Sequence, residues 1–225
     1  MRLLQSLDSQ VEGKIRDGVL GNHEKDVNLH HLIGRVKRRV RVSTISPRDS
    51  IVASNKLPTI SGDEALIFTV FRNLISNGLK YKQPGKDAKV WVFPRTEGGP
   101  RGEFWASELM SMYNTEFQKL LNREDDREAI ARRRNNIQIA VLDNGIGIMP
   151  NVIGRIFRPL NRGAQGFAEI PTNLSDIYDK GLGVGLTAAQ WAMKMHGGDI
   201  TVSSKPGLGS IFVVAFPRER LYISR

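Results

Sequence analysis

The 225-residue chain has no cysteine, so disulfides, thiolate metal sites and a cysteine nucleophile are all excluded. A reducing compartment is compatible with that composition. No apolar run is long enough to span a bilayer, and the first residues show no signal-peptide pattern. A cytoplasmic location is the expectation, with any longer parent free to carry a membrane anchor. The Walker Gly-Lys-Ser/Thr is missing, and the glycine run at 181–187 does not follow directly on a strand, which argues against a Rossmann fingerprint. Histidine is scarce: His23, His30, His31 and His196 are the only four, and all read as structural or incidental. Acidic residues are outnumbered, 23 against 33 Lys and Arg, and the net charge of +10 favours an anionic partner or ligand. Nucleic acid, nucleotide phosphate and an acidic protein surface fit that charge equally. What is present is enough apolar residue, 40%, to bury the core of one large domain, alone or with an appendage.

Residues 1–22 read as a helix, with Leu4, Leu7, Val11, Ile15 and Val19 forming a narrow seam. A second helix is expected from the cap Asn28 through Leu29, Leu32, Ile33 and Val36. Its basic side, Arg35 to Arg39, reads as a solvated face. Residues 40–45 and Ile51-Val52-Ala53 have the pattern of strands, and Ser61-Gly62-Asp63 breaks the chain, with Asp63 as the next helix cap. After the turn Gln83-Pro84-Gly85 come the strands Val90–Phe93 and Ile137–Leu142. Between them lies an insertion, 98–136, whose apolar residues suggest a helix. That helix serves either to dock a partner or to pack on the domain's own sheet. The stretch 163–185 is rich in glycine and polar residues and reads as a long mobile loop. Leu186 to His196 then forms a helix stopped by Gly197-Gly198. A strand pair at Ile200–Val202 and Ile211–Phe216 closes the chain.

Chemistry concentrates on the helix ending near Tyr81. Ile67, Phe71, Leu74 and Ile75 recur at helical spacing and face inward. Asn73, Asn77, Lys80 and Tyr81 stand at i, i+4, i+7 and i+8 and share a stripe. Carboxamide oxygens suit Mg²⁺, the ammonium suits phosphate, and the ring can cover a base. An amphipathic helix with a solvated polar side has the same pattern, so the stripe alone decides nothing. Asp143-Asn144-Gly145-Ile146-Gly147 follows a strand, where the Asp can accept from a base amino group and the glycines let backbone come close. Gly181-Leu182-Gly183-Val184-Gly185-Leu186-Thr187 leads into a helix, leaving backbone N–H groups free for phosphate.

In order and interval these motifs resemble the GHKL ATPase superfamily. Asn73-x-x-x-Asn77-x-x-Lys80-Tyr81 is similar to its N box as sensor histidine kinases carry it. Asp143-x-Gly145-x-Gly147 is similar to the first glycine box, Ile156-Phe157-Arg158-Pro159-Leu160-x-Arg162 to the phenylalanine box, and Gly181-x-Gly183-x-Gly185-Leu186 to the second glycine box. The resemblance spans about 28–217 apart from the insertion. It implies an α+β, two-layer α/β sandwich, the Bergerat fold, over 26–225, with 1–25 as remnant of a dimerisation helix or linker. It further implies ATP with Mg²⁺ as ligands. Asn77 would hold the metal, supported by Asn73. Lys80 would meet phosphate, Tyr81 would pack on adenine, and Asp143 would bind its amino group. Arg162 would approach the γ-phosphate, and the backbone of 181–187 would wrap the phosphates.

Topoisomerase, chaperone and mismatch-repair members usually carry Glu where Asn73 stands, to activate water. A carboxamide is no general base, so the resemblance favours a kinase over a hydrolase. The implied partners are a His-containing acceptor and dimerisation domain, a response regulator, and a second copy through the N-terminal helix; nucleic acid is not among them. The runner-up is a stand-alone ATP-binding regulatory module. Three departures stand out: Gly78 where the family usually has Ala, Leu160 for a common Phe, and no acceptor helix with His, acid and Pro in sequence.

Overall fold

A computed structural model describes residues 24–44, 46–95, 136–158 and 185–222, with backbone alone for 41–44. Its elements are β1 (Glu24–Asn28), α1 (Leu29–Thr44), β2 (Ser50–Ala53), β3 (Thr59–Asp63), α2 (Glu64–Lys80), β4 (Lys89–Pro94), β5 (Asn136–Asp143), α3 (Pro150–Ile153), α4 (Gly185–Met195), β6 (Asp199–Lys205), β7 (Gly209–Pro217) and a 3₁₀ turn, Arg218–Arg220. The expected N-terminal helix, the insertion up to residue 135 and the glycine-rich loop up to residue 184 lie outside the described residues. So do Arg162 and Gly181, Leu182, Gly183 and Val184. No helix among the described residues is long and apolar enough to cross a membrane.

Five strands form one sheet in the order β2-β4-β5-β7-β6, with β2 and β4 parallel and the other neighbours antiparallel. β4 and β5 are the two arms of the hairpin expected around the insertion, and their register sets Asp143 opposite Val90. Leu29, Ile33 and Val36 of α1, Ile67, Phe71 and Leu74 of α2, and Met193 of α4 join Val90, Val92, Val141, Phe212 and Val214 in one core cluster. Helices on one sheet face give the two-layer α+β sandwich anticipated from the sequence. On the other face Trp91, Leu142 and Ile211 form one cross-strand row, and Phe93, Ala140 and Val213 another, and all six are buried. Burial on both faces explains why these strands read as continuous apolar runs rather than alternating ones.

Local signals set α2. Asp63 Oδ1 accepts from the Ala65 and Leu66 amides at 2.8 and 3.1 Å, a cap worth about 1 kcal/mol. Glu64 in the first turn favours the helix dipole. Asn28 caps α1 as expected, accepting from the His31 amide at 3.0 Å.

Two expectations fail. The strand expected at 40–45 is not formed over residues 40–44, because α1 runs on to Thr44. Val40 extends the helical row of Leu32, Ile33 and Val36 into the core, and that burial outweighs the β preference of its branched neighbours. Ser61-Gly62-Asp63 does not break the chain either, since it ends β3, paired with β1. Gly62 belongs there because a Cβ would meet the His196 ring, with Cδ2 2.7 Å away. β1 itself gives no sequence signal, as only Val27 of its five residues is buried.

Candidate functional site

The polar stripe of α2 climbs out of the core. Asn73 is 9% exposed, Asn77 is half-buried, Lys80 is exposed and Tyr81 is 47% exposed. Tyr81, expected within the helix, lies one residue beyond its end, as its C-cap, with its amide bonded to the Asn77 carbonyl at 3.0 Å. The Lys80 ammonium stands 5.5 Å from the Tyr81 ring centre, a cation–π contact. Asn73 Nδ2 is buried and has no hydrogen-bond partner among the described residues. An amide left so costs about 1–3 kcal/mol, which marks a place that wants an acceptor. Gly185, at the start of α4, abuts this side chain: a Cβ there would come within 3.0 Å of Asn73 Oδ1. The N-box stripe and the last glycine of the second glycine box therefore meet in space.

Asp143 ends β5, 8% exposed. Its carboxyl is pushed up to about 6, by burial above all, against the opposing amides of Gly145 and Ser210. Among the described residues it has no ion-pair partner. Such a group is an acceptor held ready for a donor, as the amino group of a base would be. Helix α2 reaches it through Gly78, where a Cβ would fall 2.9 Å from Asp143 Cβ and 2.8 Å from Val90 Cγ2. The departure from Ala at this position thus has a steric reason: Gly sacrifices about 1 kcal/mol of helix propensity for close approach.

The loop after Asp143 is tied on several sides. The Gly145 amide donates to Asp143 Oδ1 at 2.8 Å, and the Ile146 amide to the Tyr81 carbonyl at 2.9 Å. Asn144 Oδ1 accepts from the Lys89 amide at 2.8 Å, while its Nδ2 donates to the Asp87 carbonyl at 3.0 Å. Ser204 Oγ accepts from the Ile148 amide at 2.8 Å. Gly147 adopts φ 73° beside the Lys205 carbonyl. The sequence pattern singles out none of Gln83, Asn144 or Ser204 for the site. Nothing local marks them, because the partners that tie each of them to this loop lie far along the chain.

Of the second glycine box, Gly185, Leu186 and Thr187 form the first turn of α4. Thr187 Oγ1 donates to the Phe157 carbonyl at 2.9 Å and so joins α4 to the phenylalanine box. Phe157 in turn packs edge-on against Phe212, ring centres 6.5 Å apart. The amides and dipole at the start of α4 suit an anion. His196, by contrast, is fully engaged. Its Nδ1 donates to the Ala192 carbonyl at 2.7 Å and its Nε2 accepts from the Asp63 amide at 3.0 Å. Burial holds its pKa below the usual imidazole range. A 380 Å³ cavity lies beside it, bordered by Glu24, Ser61 and Arg220. Arg220 directs Nε and Nη1 there, at the His196 and Ser61 carbonyls and at Glu24, and among the described residues the cavity holds no buried side-chain atom left without a partner as Asn73 Nδ2 is.

Residues 118–220 match the family described as histidine kinase-, DNA gyrase B-, and HSP90-like ATPase. That match takes in the Asp143 loop and α4 but not the Asn73–Tyr81 stripe, which the fold brings to them. The sensor-like histidine kinase SenX3 of Mycobacterium tuberculosis is 31% identical over 160 residues, covering 70% of this chain and 27% of that protein. The heme sensor protein HssS of Staphylococcus saprophyticus is 24% identical over 207 residues, 91% of this chain and 34% of the relative. The chain therefore spans about a quarter to a third of the length of these curated relatives. Among solved structures, the mycobacterial sensor histidine kinase MprB superposes with a TM-score of 0.53 at 17% identity, covering 86% of this chain and 97% of that one. Full-length ShkA, solved with AMPPNP, gives 0.52 at 19% identity, covering 86% and 31%. These two likenesses speak for the fold. With the order of its motifs, its two-layer architecture and the match over residues 118–220, the chain is similar to the ATP-binding domains of the GHKL superfamily and, within it, to the catalytic domains of sensor histidine kinases.

Proposed function

We propose that the chain is the ATP- and Mg²⁺-binding catalytic domain of a histidine kinase. It passes the γ-phosphate of ATP to a histidine on a separate acceptor domain in a two-component phosphorelay. The observation that carries this reading is the buried Asn73 Nδ2 beside Gly185, without a partner among the described residues, with the buried Asp143 of β5 set against Gly78 further along the same helix. One is a donor in want of an anionic oxygen, the other an acceptor in want of an amino group. Phosphate at one end and adenine at the other satisfy both.

The roles follow. Asp143 accepts from the adenine amino group and Tyr81 covers the base. Lys80 and the backbone of 181–187 meet the phosphates, with Arg162 approaching the γ-phosphate. The carboxamide oxygens of Asn77 and Asn73 are hard donors that fit Mg²⁺, an ion that keeps several waters. When bound, the ion supplies charge neutralisation on the triphosphate. With no carboxylate at position 73, the site lacks a base to activate water. A neutral imidazole nitrogen needs none: it attacks phosphorus, the P–O bond to ADP breaks, and ADP leaves with the electron pair. A response regulator then takes the phosphoryl group, and residues 1–25 contribute to a homodimer.

The test is transfer in trans. Labelled ATP, Mg²⁺ and an acceptor-domain fragment should yield acid-labile phosphohistidine with this chain and not with Asn77→Ala. The second reading, an ATP-binding regulatory module, is favoured by two of the three described histidines. His196 has both ring nitrogens bonded, and His30 is bonded to the Ser54 carbonyl. Tight ATP binding without transfer to any acceptor domain would select that reading.

A further inference from the structure

We propose that Gln83 is a positioning residue for the Asp143 loop, orienting the peptide that holds the Asp143 carboxylate and thereby the selectivity for adenine. The proposal rests on the nucleotide reading above for its selectivity arm and on geometry alone for the rest.

Gln83 lies two residues past the cap of α2, where three loops converge. Its Nε2 faces the carbonyls of Asn144 at 2.9 Å, Gly145 at 3.1 Å and Gly207 at 3.1 Å. Two protons serve three acceptors, so one is shared. The Lys86 ammonium donates to its Oε1 at 2.7 Å, which keeps the oxygen outward and the NH₂ aimed at the loops. The loop that presents Gln83 is itself pinned by buried Asp49. That carboxylate takes the Ala88 amide at 2.7 Å, the Ser46 amide at 3.1 Å and the Lys82 ammonium at 3.3 Å. Although burial opposes ionisation, these donors together hold the Asp49 carboxyl below its ordinary range.

The link to Asp143 runs through a single peptide unit. Gln83 Nε2 holds the carbonyl oxygen of Asn144, and the same peptide's N–H, that of Gly145, donates to Asp143 Oδ1 at 2.8 Å. A peptide is planar and trans, so fixing its oxygen aims its N–H. If the unit turned over, its carbonyl would face the carboxylate instead, and the glycine at 145 lowers the barrier to that turn. Gln83 therefore guards the one orientation in which the Gly145 amide joins the Ser210 amide in holding Asp143. Its third acceptor, Gly207, extends the hold to the β6–β7 turn, whose Gly207 amide also bonds the Ile146 carbonyl at 2.8 Å.

The experiment compares Gln83→Met, of similar length without the donor, with Gln83→Lys, which restores an N–H donor. In folded full-length protein, Gln83→Met should lower the ATP-over-GTP affinity ratio about tenfold, the scale of one lost hydrogen bond. Affinity for inorganic triphosphate, which has no base, should stay the same. Gly145 amide exchange in the nucleotide-free protein should speed up by a similar factor, and Gln83→Lys should recover most of both. An unchanged ratio with unchanged Gly145 exchange would overturn the proposal, as would equal loss of triphosphate affinity. If the wild type fails to discriminate ATP from GTP, the nucleotide reading falls, and Gly145 exchange still decides the role of Gln83. If Gln83→Met does not fold, the Gln83 side-chain amide of the wild type is measured instead. Slowed exchange supports the assignment, and exchange at the rate of a free carboxamide refutes it.

Discussion

Asp63 and Asp143 lie at opposite ends of one helix, α2, and their surroundings handle them differently. At the first end, Asp63 caps the helix, its own amide donates to His196, and Arg220 ties His196 to Glu24 and Ser61. Toward the far end, Asp143 is buried without an ion partner and Asn73 Nδ2, midway along the helix, is unpaired among the described residues. Each end needs a glycine for close approach, Gly62 against the His196 ring and Gly78 against Asp143. Both ends are polar and tightly packed, so neither trait distinguishes a site. The difference lies in whether hydrogen-bonding capacity is consumed internally or left for a ligand.

The sharpest way to break this contrast is at the open end. Asn77→Ala should lower ATP affinity in Mg²⁺ titrations by about 10–100-fold, the range for a bond to a charged group, with little change in melting temperature. A folded variant with unchanged Mg²⁺ dependence would remove Asn77 from the metal's ligands.

Asp143→Asn should erode the preference for ATP over GTP, because a carboxylate opposes the guanine carbonyl where it would accept from adenine. It also tests stability. The Asp143 pKa is raised from 3.8 to about 6 in the fold, so its ionisation works against the folded state. The group is neutral and harmless below 3.8, its cost grows between 3.8 and 6, and above 6 it is complete, about 3 kcal/mol. Nucleotide-free Asp143→Asn should therefore be more stable than wild type at pH 7.5 and similar near pH 4, as read by urea midpoints.

The closed end should show the opposite slope. The His196 pKa is lowered from 6.5, so its contribution is complete above 6.5 and lost as pH falls through the folded value. His196→Phe leaves the Asp63 amide unpaired and should cost about 1–3 kcal/mol at neutral pH, with ATP affinity of the folded protein intact. If it weakened ATP binding as much as Asn77→Ala, the two ends would not be separate in role.

The smallest effect uses the glycines. A Cβ placed on Gly34 of α1 would have nothing within 4 Å, so Gly34→Ala should stabilise by up to about 1 kcal/mol. Gly78→Ala gains the same propensity but meets Asp143 Cβ and Val90, so it should destabilise and reduce base selectivity. A stabilising Gly78→Ala with full selectivity would mean that the helix can shift without disturbing Asp143.

Much of the fold and of the site is legible in the sequence, and the reasons are local. The inward row Ile67, Phe71, Leu74 and Ile75, the Asp63 cap, and the Gly197-Gly198 stop after α4 each depend on neighbours within a turn or two. Misreadings arise where local preference meets distant packing. Val40 and Val42 look like strand residues, yet the core contact of Val40 keeps α1 helical to Thr44. β1 is too polar to announce itself and exists because β3 supplies its hydrogen bonds.

The amino-acid sequence alone determined the alternation of helix and strand, the spacing of the Asn73, Asn77, Lys80 and Tyr81 stripe, and the order of the glycine motifs. Those are properties of short segments, set by side-chain period, caps and turns. Only the tertiary structure decided that Asn73 abuts Gly185, that Gly78 admits Asp143, and that Gln83 reaches Gly145 and Gly207, 62 and 124 residues further on. Hydrogen bonds and excluded volume act through space, and chain distance carries no record of them until the sheet and helices have closed.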